Sequence, residues 1–226
     1  MLPMNKNRRD FLKAAAVTLA GGLLASRASL SSAAILASAE TKILTGEPLD
    51  ETEKYHLEFI REEEKLARDV YKVMAEKWGN PVFSLIIESE QRHMDAILKL
   101  LQYYDIEDPV HDDGVGSFTD ASIAQLYNML IEWGLKSEND ALLVGAYIEE
   151  FDILDIWKAV DDTNVAHIDE VYTNLYEGSY NHLRGYIYNW EKNTDGIYTP
   201  QIMDEFEYEK FLSSVTQANQ KQNDKD

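Results

Sequence analysis

The sequence predicts an all-α fold: a four-helix bundle with one long crossover that contains a short extra helix, followed by a C-terminal helical tail. Three observations predict it. Apolar residues recur at three- and four-residue steps through four long segments after residue 52. Two of the connections between these segments are short and carry capping or helix-stopping residues. The third, from Asp105 to Ser137, is roughly thirty residues, enough to travel the length of a bundle at about 1.5 Å per helical residue.

The chain begins with an address rather than with the fold. Asn7-Arg8-Arg9-Asp10-Phe11-Leu12-Lys13 precedes an apolar run from Ala14 to Ala25, and small residues follow as far as Ala37-Ser38-Ala39. A basic start, a short apolar middle and an A-x-A end are the marks of a secretory signal, here residues 1–39, and the run is too short to anchor a chain in a membrane. The paired arginines followed by Phe-Leu-Lys resemble a twin-arginine export signal. That resemblance implies a periplasmic or extracellular product, exported folded and often with its cofactor already inserted.

Residues 40–52 read as a linker, and the bundle as residues 53–200. Helix one runs from Glu53 to Trp78, with Phe59, Leu66, Val70, Val73 and Met74 at helical spacing, and Gly79-Asn80-Pro81 stops it. Helix two, Pro81 to about Tyr104, must be its antiparallel neighbour because the connection is so short. The crossover has a Gly- and Asp-rich first part and a short helix from Asp120 to Trp133 that Gly134 ends. Helix three covers about Glu138 to Val160. Helix four starts at the N-capping residues Thr163 or Asn164 and continues to about Lys192. A C-terminal helix is expected within 201–216 and a polar, disordered tail over 217–226.

Composition excludes several functions. The chain of 226 residues is 45% hydrophobic, enough for one core, and its net charge is −20. Residues 1–39 hold five basic residues and one acidic one, so the remainder carries −24. Such a surface repels nucleic acid and anionic lipid and attracts cations. The absence of cysteine excludes disulfides, thiolate metal sites and iron–sulfur clusters. No segment after the leader is apolar enough to span a membrane, so no membrane partner is expected once the leader is removed. No P-loop or dinucleotide fingerprint is present.

Charged residues interrupt every apolar stripe at mid-height. The stripes read Phe59, Glu63, Leu66, Val70, Val73 in helix one and Ile86, Glu90, His93, Ile97, Leu100 in helix two. Helix three gives Leu142, Ala146, Glu149, Ile153, Ile156, and helix four gives Ile168, Leu175, Ser179, His182, Tyr186. An ionised carboxylate buried without a partner costs several kcal/mol, so three glutamates and two imidazoles at one level call for a cation. Carboxylate with imidazole suits iron or manganese, and zinc as well. Glu90 and His93 form an E-x-x-H pair on one helical face. The two halves echo one another: Glu63 precedes Glu90 and His93, and Glu149 precedes Ser179 and His182. This is the pseudo-twofold layout of carboxylate-bridged helix pairs.

On these residues the chain resembles the ferritin-like superfamily. More narrowly, the segments 62–71 (EEEKLARDVY), 88–101 (ESEQRHMDAILKLL), 141–156 (ALLVGAYIEEFDILDI) and 178–186 (GSYNHLRGY) are similar to the ferritin-like family called domain of unknown function 2202. The superfamily implies a di-iron carboxylate centre whose ligands here would be Glu63, Glu90, His93, Glu149 and His182. The sequence departs from that pattern at Ser179, where the superfamily has Glu. Asp152, three residues after Glu149, is the candidate to compensate, as a ligand or as an acceptor for His182. Glu62 and Glu150 are neighbours that could exchange with Glu63 and Glu149.

Other residues have blander readings. His56 and His167, near helix starts, are expected at the surface or in caps. His111 to Gly114 lacks calcium-loop spacing and reads as a solvated turn. Tyr71, Tyr172 and Tyr186 are expected in the core. Two functions remain open: an oxidoreductase of ferroxidase, oxidase or peroxide reductase type using one or two metal ions, or a non-catalytic exported binding module whose polar centre holds no metal. An oligomer is compatible with either, but no assembly surface for a storage cage is identifiable.

Overall fold

The computed structural model describes residues 48–204 and 206–213, so the leader, most of the proposed linker and the tail from 214 lie outside the described residues. Five helices are α1 (Glu51–Trp78), α2 (Pro81–Tyr103), α3 (Ala121–Gly134), α4 (Glu138–Asp162) and α5 (Ala166–Thr194). A short α6 occupies 206–213, and there is no strand among the described residues. None of the described helices is long and apolar enough to cross a membrane.

Local chemistry sets the ends. Asp50 caps α1 by accepting from the Thr52 and Glu53 N–H groups at 2.8 and 2.9 Å, while Glu53 reaches back to the Asp50 N–H at 3.0 Å, a capping box. Gly79 closes α1 in the left-handed conformation, φ 69°, where its lack of Cβ removes the strain. Asn80 caps α2 and Pro81 fills its first turn. Two residues therefore turn the chain through a half-circle, and α1 and α2 lie antiparallel. Thr163 to Val165 do the same for α4 and α5.

The start of α5 differs from expectation. Its N-cap is Val165, with no side-chain cap bond. Thr163 is instead the residue after α4, and its hydroxyl donates to Glu53 Oε1 at 3.0 Å. Residues 201–204, expected at the start of the C-terminal helix, lie outside it, because the backbone N–H groups of Gln201, Ile202 and Met203 are held by Glu150.

The crossover runs along α1 from bottom to top. Arg61 binds Asp108 through two contacts at 2.9 and 3.1 Å, Lys65 donates to the Gly114 carbonyl at 2.8 Å, and Trp78 donates to the Gly134 carbonyl at 3.0 Å. Asn80 then reaches Glu138 at 2.9 Å, so α4 begins beside the α1–α2 turn and runs antiparallel to α1. This cover explains why α1 is buried on nearly every side, with each residue from Phe59 to Tyr71 inside. Its inner charges are paired: Asp69 accepts from Lys65 at 2.6 Å, from Arg68 at 2.8 and 3.0 Å, and from the Gly116 N–H at 3.1 Å. Buried ions hold together only with such complete pairing.

The apolar core is in two parts. Leu57 and Ile60 of α1, Ile97 and Leu100 of α2, Ile156 of α4 and Tyr172 and Leu175 of α5 form one. Leu66 and Val70, Phe83 and Ile86, Ala146 and Ile148, and Leu183 and Tyr186 belong to the other. Between them all four long helices present polar side chains.

Candidate metal centre

That polar layer is built from one carboxylate or imidazole per helix turn. α1 contributes Glu64, α2 contributes Glu90 and His93 three residues apart, α4 contributes Glu149 and α5 contributes His182. They fall into two triads, Glu64–Glu90–His93 and Glu90–Glu149–His182, each with one donor atom per residue lying within 4.8 Å of the others. Glu90 belongs to both. Its Oε2 is 3.0 Å from His93 Nδ1 and its Oε1 is 2.9 Å from His182 Nδ1. The outer carboxylates complete each group, Glu64 Oε2 at 3.1 Å from His93 Nδ1 and Glu149 Oε2 at 3.4 Å from His182 Nδ1. The two imidazole rings stack 5.5 Å apart.

The manner of approach is informative. His93 and Glu64 are aligned as a hydrogen bond. Both Glu90 oxygens, Glu149 Oε2, Glu64 Oε1 and His182 Nδ1 are buried without a hydrogen-bond partner among the described residues, although close contacts surround them. The atoms converge on common points instead of facing one another in donor–acceptor pairs. Orphaned buried acceptors are costly, of order 1–3 kcal/mol each and more when charged, and convergence of hard oxygens with imidazole nitrogens is what a divalent cation requires. The residues present therefore fit a metal, and fit two ions sharing Glu90.

Asp152 adds a further carboxylate. It is 2% exposed, both its oxygens lack partners among the described residues, and its charge is felt by Glu64, Glu149, Glu63 and Glu90. Ser179, also buried, donates to the Leu175 carbonyl at 3.2 Å and contributes no ligand atom to either triad. α4 thus supplies a second buried carboxylate, three residues after Glu149.

The three consecutive glutamates of α1 have three different surroundings. Glu62 accepts from the Thr119 and Asp120 N–H groups at 2.6 and 2.7 Å and fixes the start of α3. Glu63 points to Asp155 of α4. Glu64 faces His93. The sequence placed Glu63 in the ligand set; the structure brings Glu64 there. A second register was available: Leu57, Ile60, Glu64, Ala67, Tyr71 and Met74 alternate by three and four residues, and all are buried. Glu150 is likewise elsewhere, accepting from the Tyr198 hydroxyl at 2.6 Å and from the backbone of Gln201, Ile202 and Met203 at 2.6 to 3.0 Å.

Electrostatics follow from burial. Burial acts to raise Glu90, but the His182 and His93 imidazoles outweigh it and hold the acid below the ordinary carboxylate range. Burial lifts Glu64 and Glu149 to about 7, with His93 and His182 respectively opposing. Burial would depress His93, yet Glu64 and Glu90 hold it up at about 10. The surrounding carboxylates thus favour the protonated form of both imidazoles. Tyr71, fully buried, donates to Glu149 Oε1 at 2.6 Å, and its ring lies 5.2 Å from that of Tyr186. Against expectation His56 is buried and pairs with Asp162 at 2.9 Å, whereas His167 does lie at the surface, stacked on Tyr104.

A close contact packs His93 of α2 against α5. A Cβ at Gly178 would lie 2.6 Å from His93 Nε2, so only glycine lets that ring sit where it does.

The chain has relatives in both sequence and solved structure. The chain is 47% identical to the uncharacterized protein MJ0754 of Methanocaldococcus jannaschii over 174 residues, 77% of this chain and 94% of that one. It is similar to the crystal structure of hypothetical protein MJ0754 with a TM-score of 0.71, covering 74% of this chain and 95% of that chain. Residues 53–215 match the family described as an uncharacterized protein domain, DUF2202, and the chain belongs to that family.

Proposed function

We propose that the buried carboxylate–imidazole layer is a dinuclear non-haem metal centre, holding iron or else manganese, that reacts with oxygen or peroxide in an exported protein of the ferritin-like type. The observation that carries this reading is the pair of triads sharing Glu90, with buried oxygens that no hydrogen-bond donor satisfies among the described residues. Glu64 and His93 would hold one ion, Glu149 and His182 the other, Glu90 would bridge them, and Asp152 would be the sixth donor. Four carboxylates and two imidazoles are hard and borderline donors, which suits iron and manganese and admits zinc. When bound, the metal supplies electron-transfer chemistry toward oxygen or peroxide.

The chain's own residues do the rest. Burial of Glu90 and Glu149 keeps bulk water from the layer. Tyr71 fixes one oxygen of Glu149 and leaves Oε2 turned toward His182. His93 and His182 must each give up a proton before Nδ1 can coordinate, so binding releases protons. The acidic surface favours cation arrival, and the Arg8-Arg9 leader supports export in folded form.

The test is elemental analysis of protein made with its leader intact. Two ions of iron or manganese are expected at the layer in each chain, neither of them in Glu90→Ala and fewer in His93→Ala. A parent protein free of iron, manganese and zinc would remove the reading. Ser179 favours one alternative, a metal-free binding module in which protonated imidazoles balance the acids and fix helix register. A melting temperature insensitive to chelator in protein shown to be metal-free would favour it, since a ligand bound only by the native state must stabilise it.

A further inference from the structure

We infer that the seam between α1 and α4 carries a separate cation site, built on Glu63 and Asp155, which loads a hard divalent ion toward the central layer. Glu63 is 1% exposed, and apart from the Asp155 carboxyl that it meets, neither of its oxygens has a hydrogen-bond partner among the described residues. Its carboxylate faces that of Asp155, whose Oδ2 is also buried without a partner. Asp155 itself is half-buried and gives the pair its route to solvent.

Countercharge reaches only the Asp155 end of the pair, from Lys158, and acts less strongly than burial. Lys158, the cation nearest Asp155 on α4, places its ammonium on Asp162 at 2.5 Å. Lys65 of α1 is bound to Asp69 and the Gly114 carbonyl. The other charged or titratable groups interacting with the pair are Glu64 and Tyr55 of α1 and Asp152 and Tyr147 of α4, all acids or phenols. Two carboxylates facing each other in a dry seam repel strongly, and a shared proton or a cation is needed between them. Asp152 continues the series inward, with both oxygens equally unpartnered and its charge felt by Glu63 on one side and Glu64 on the other. Along α4 the order is Asp155, then Asp152, then Glu149 of the second triad, at three-residue steps.

The loading role rests on the dinuclear reading; the capacity to bind a cation does not. Mn²⁺ is the probe, counted by equilibrium dialysis and electron paramagnetic resonance on the purified parent, Glu63→Gln, Asp155→Asn and His93→Ala proteins, each with a melting curve to confirm folding. The parent should bind one Mn²⁺ more than Asp155→Asn and Glu63→Gln. Asp155→Asn should also fill the centre at least about tenfold more slowly, the scale on which local potential changes association. The extra ion should persist in His93→Ala. Equal counts in parent, Asp155→Asn and Glu63→Gln would mean a shared proton only and would overturn the site, and equal filling rates would remove its loading role. A parent that binds only the Asp155-dependent ion would overturn the dinuclear reading and leave this site standing.

Discussion

Replacing Gly178 by alanine perturbs the centre through one atom. The added Cβ would lie 2.6 Å from His93 Nε2 and 2.7 Å from Cε1, whereas ordinary contact begins near 3.4 Å. The ring must therefore slide or tilt by about 0.8 Å, the difference between these distances. It has little room for this, because Nδ1 on its other side is only 3.0 Å from Glu90 and 3.1 Å from Glu64. Supports of this kind govern metal affinity by roughly 10–100-fold, or about 1.4 to 2.7 kcal/mol at about 1.4 kcal/mol per decade. The effect on the metal-free fold runs the other way, since alanine in a helix interior gains up to about 1 kcal/mol over glycine. Gly178→Ala should thus melt within about 4 °C of the parent in chelator while binding Mn²⁺ at least about tenfold more weakly by chelator competition. Parent-like affinity would refute the placement of His93 against α5 and its role as a ligand.

Three more outcomes are expected. The chelated protein should lose stability between pH 6 and pH 8.5. Burial raises Glu64 and Glu149 to about 7, and Glu64 and Glu90 hold His93 up at about 10 against its burial, so the folded state binds the extra protons and stability falls as they leave. The depressed Glu90 acts in the opposite sense but only below the ordinary carboxylate range, and Mn²⁺ binding should tighten over the same pH rise; a chelated melting point that climbs with pH would contradict the buried imidazolium layer. Glu150→Ala should cost about 3 kcal/mol or more, because it strands the Tyr198 hydroxyl and three consecutive N–H groups, and amide exchange at 201–203 should quicken while Mn²⁺ stoichiometry holds. Asp69→Ala should cost about 3–5 kcal/mol by leaving Lys65 and Arg68 buried and uncompensated, measured by urea unfolding; a loss under about 1 kcal/mol would mean that solvent reaches them.

The helices were legible because their signals are local. Gly79 and Pro81 end and begin helices by backbone geometry, and the stripes around Glu90, His93 and His182 stand out because α2 and α5 each keep an exposed polar face, whereas α4 is buried continuously from Val144 to Ile153 and Glu149 was placed by its apolar spacing alone. α1 was not readable in the same way. The crossover buries its outer face as well, so Glu62, Glu63 and Glu64 all lie inside, and no single-helix periodicity distinguishes the one that meets His93. Only the pairing of each with Asp120, Asp155 or His93 does so, and those are contacts between distant segments. The start of α5 was missed for a similar reason: Thr163 is a good cap by type, but Glu53, 110 residues away, takes its hydroxyl.

The most direct measurement is anomalous diffraction at the iron and manganese edges from crystals of the protein purified with its native metal. Two peaks are predicted between the four long helices, both beside Glu90, one next to Glu64 and His93 and the other next to Glu149 and His182. An interior without any peak, in crystals whose solution protein retains no metal, would contradict the claim that a cation holds these buried acids together.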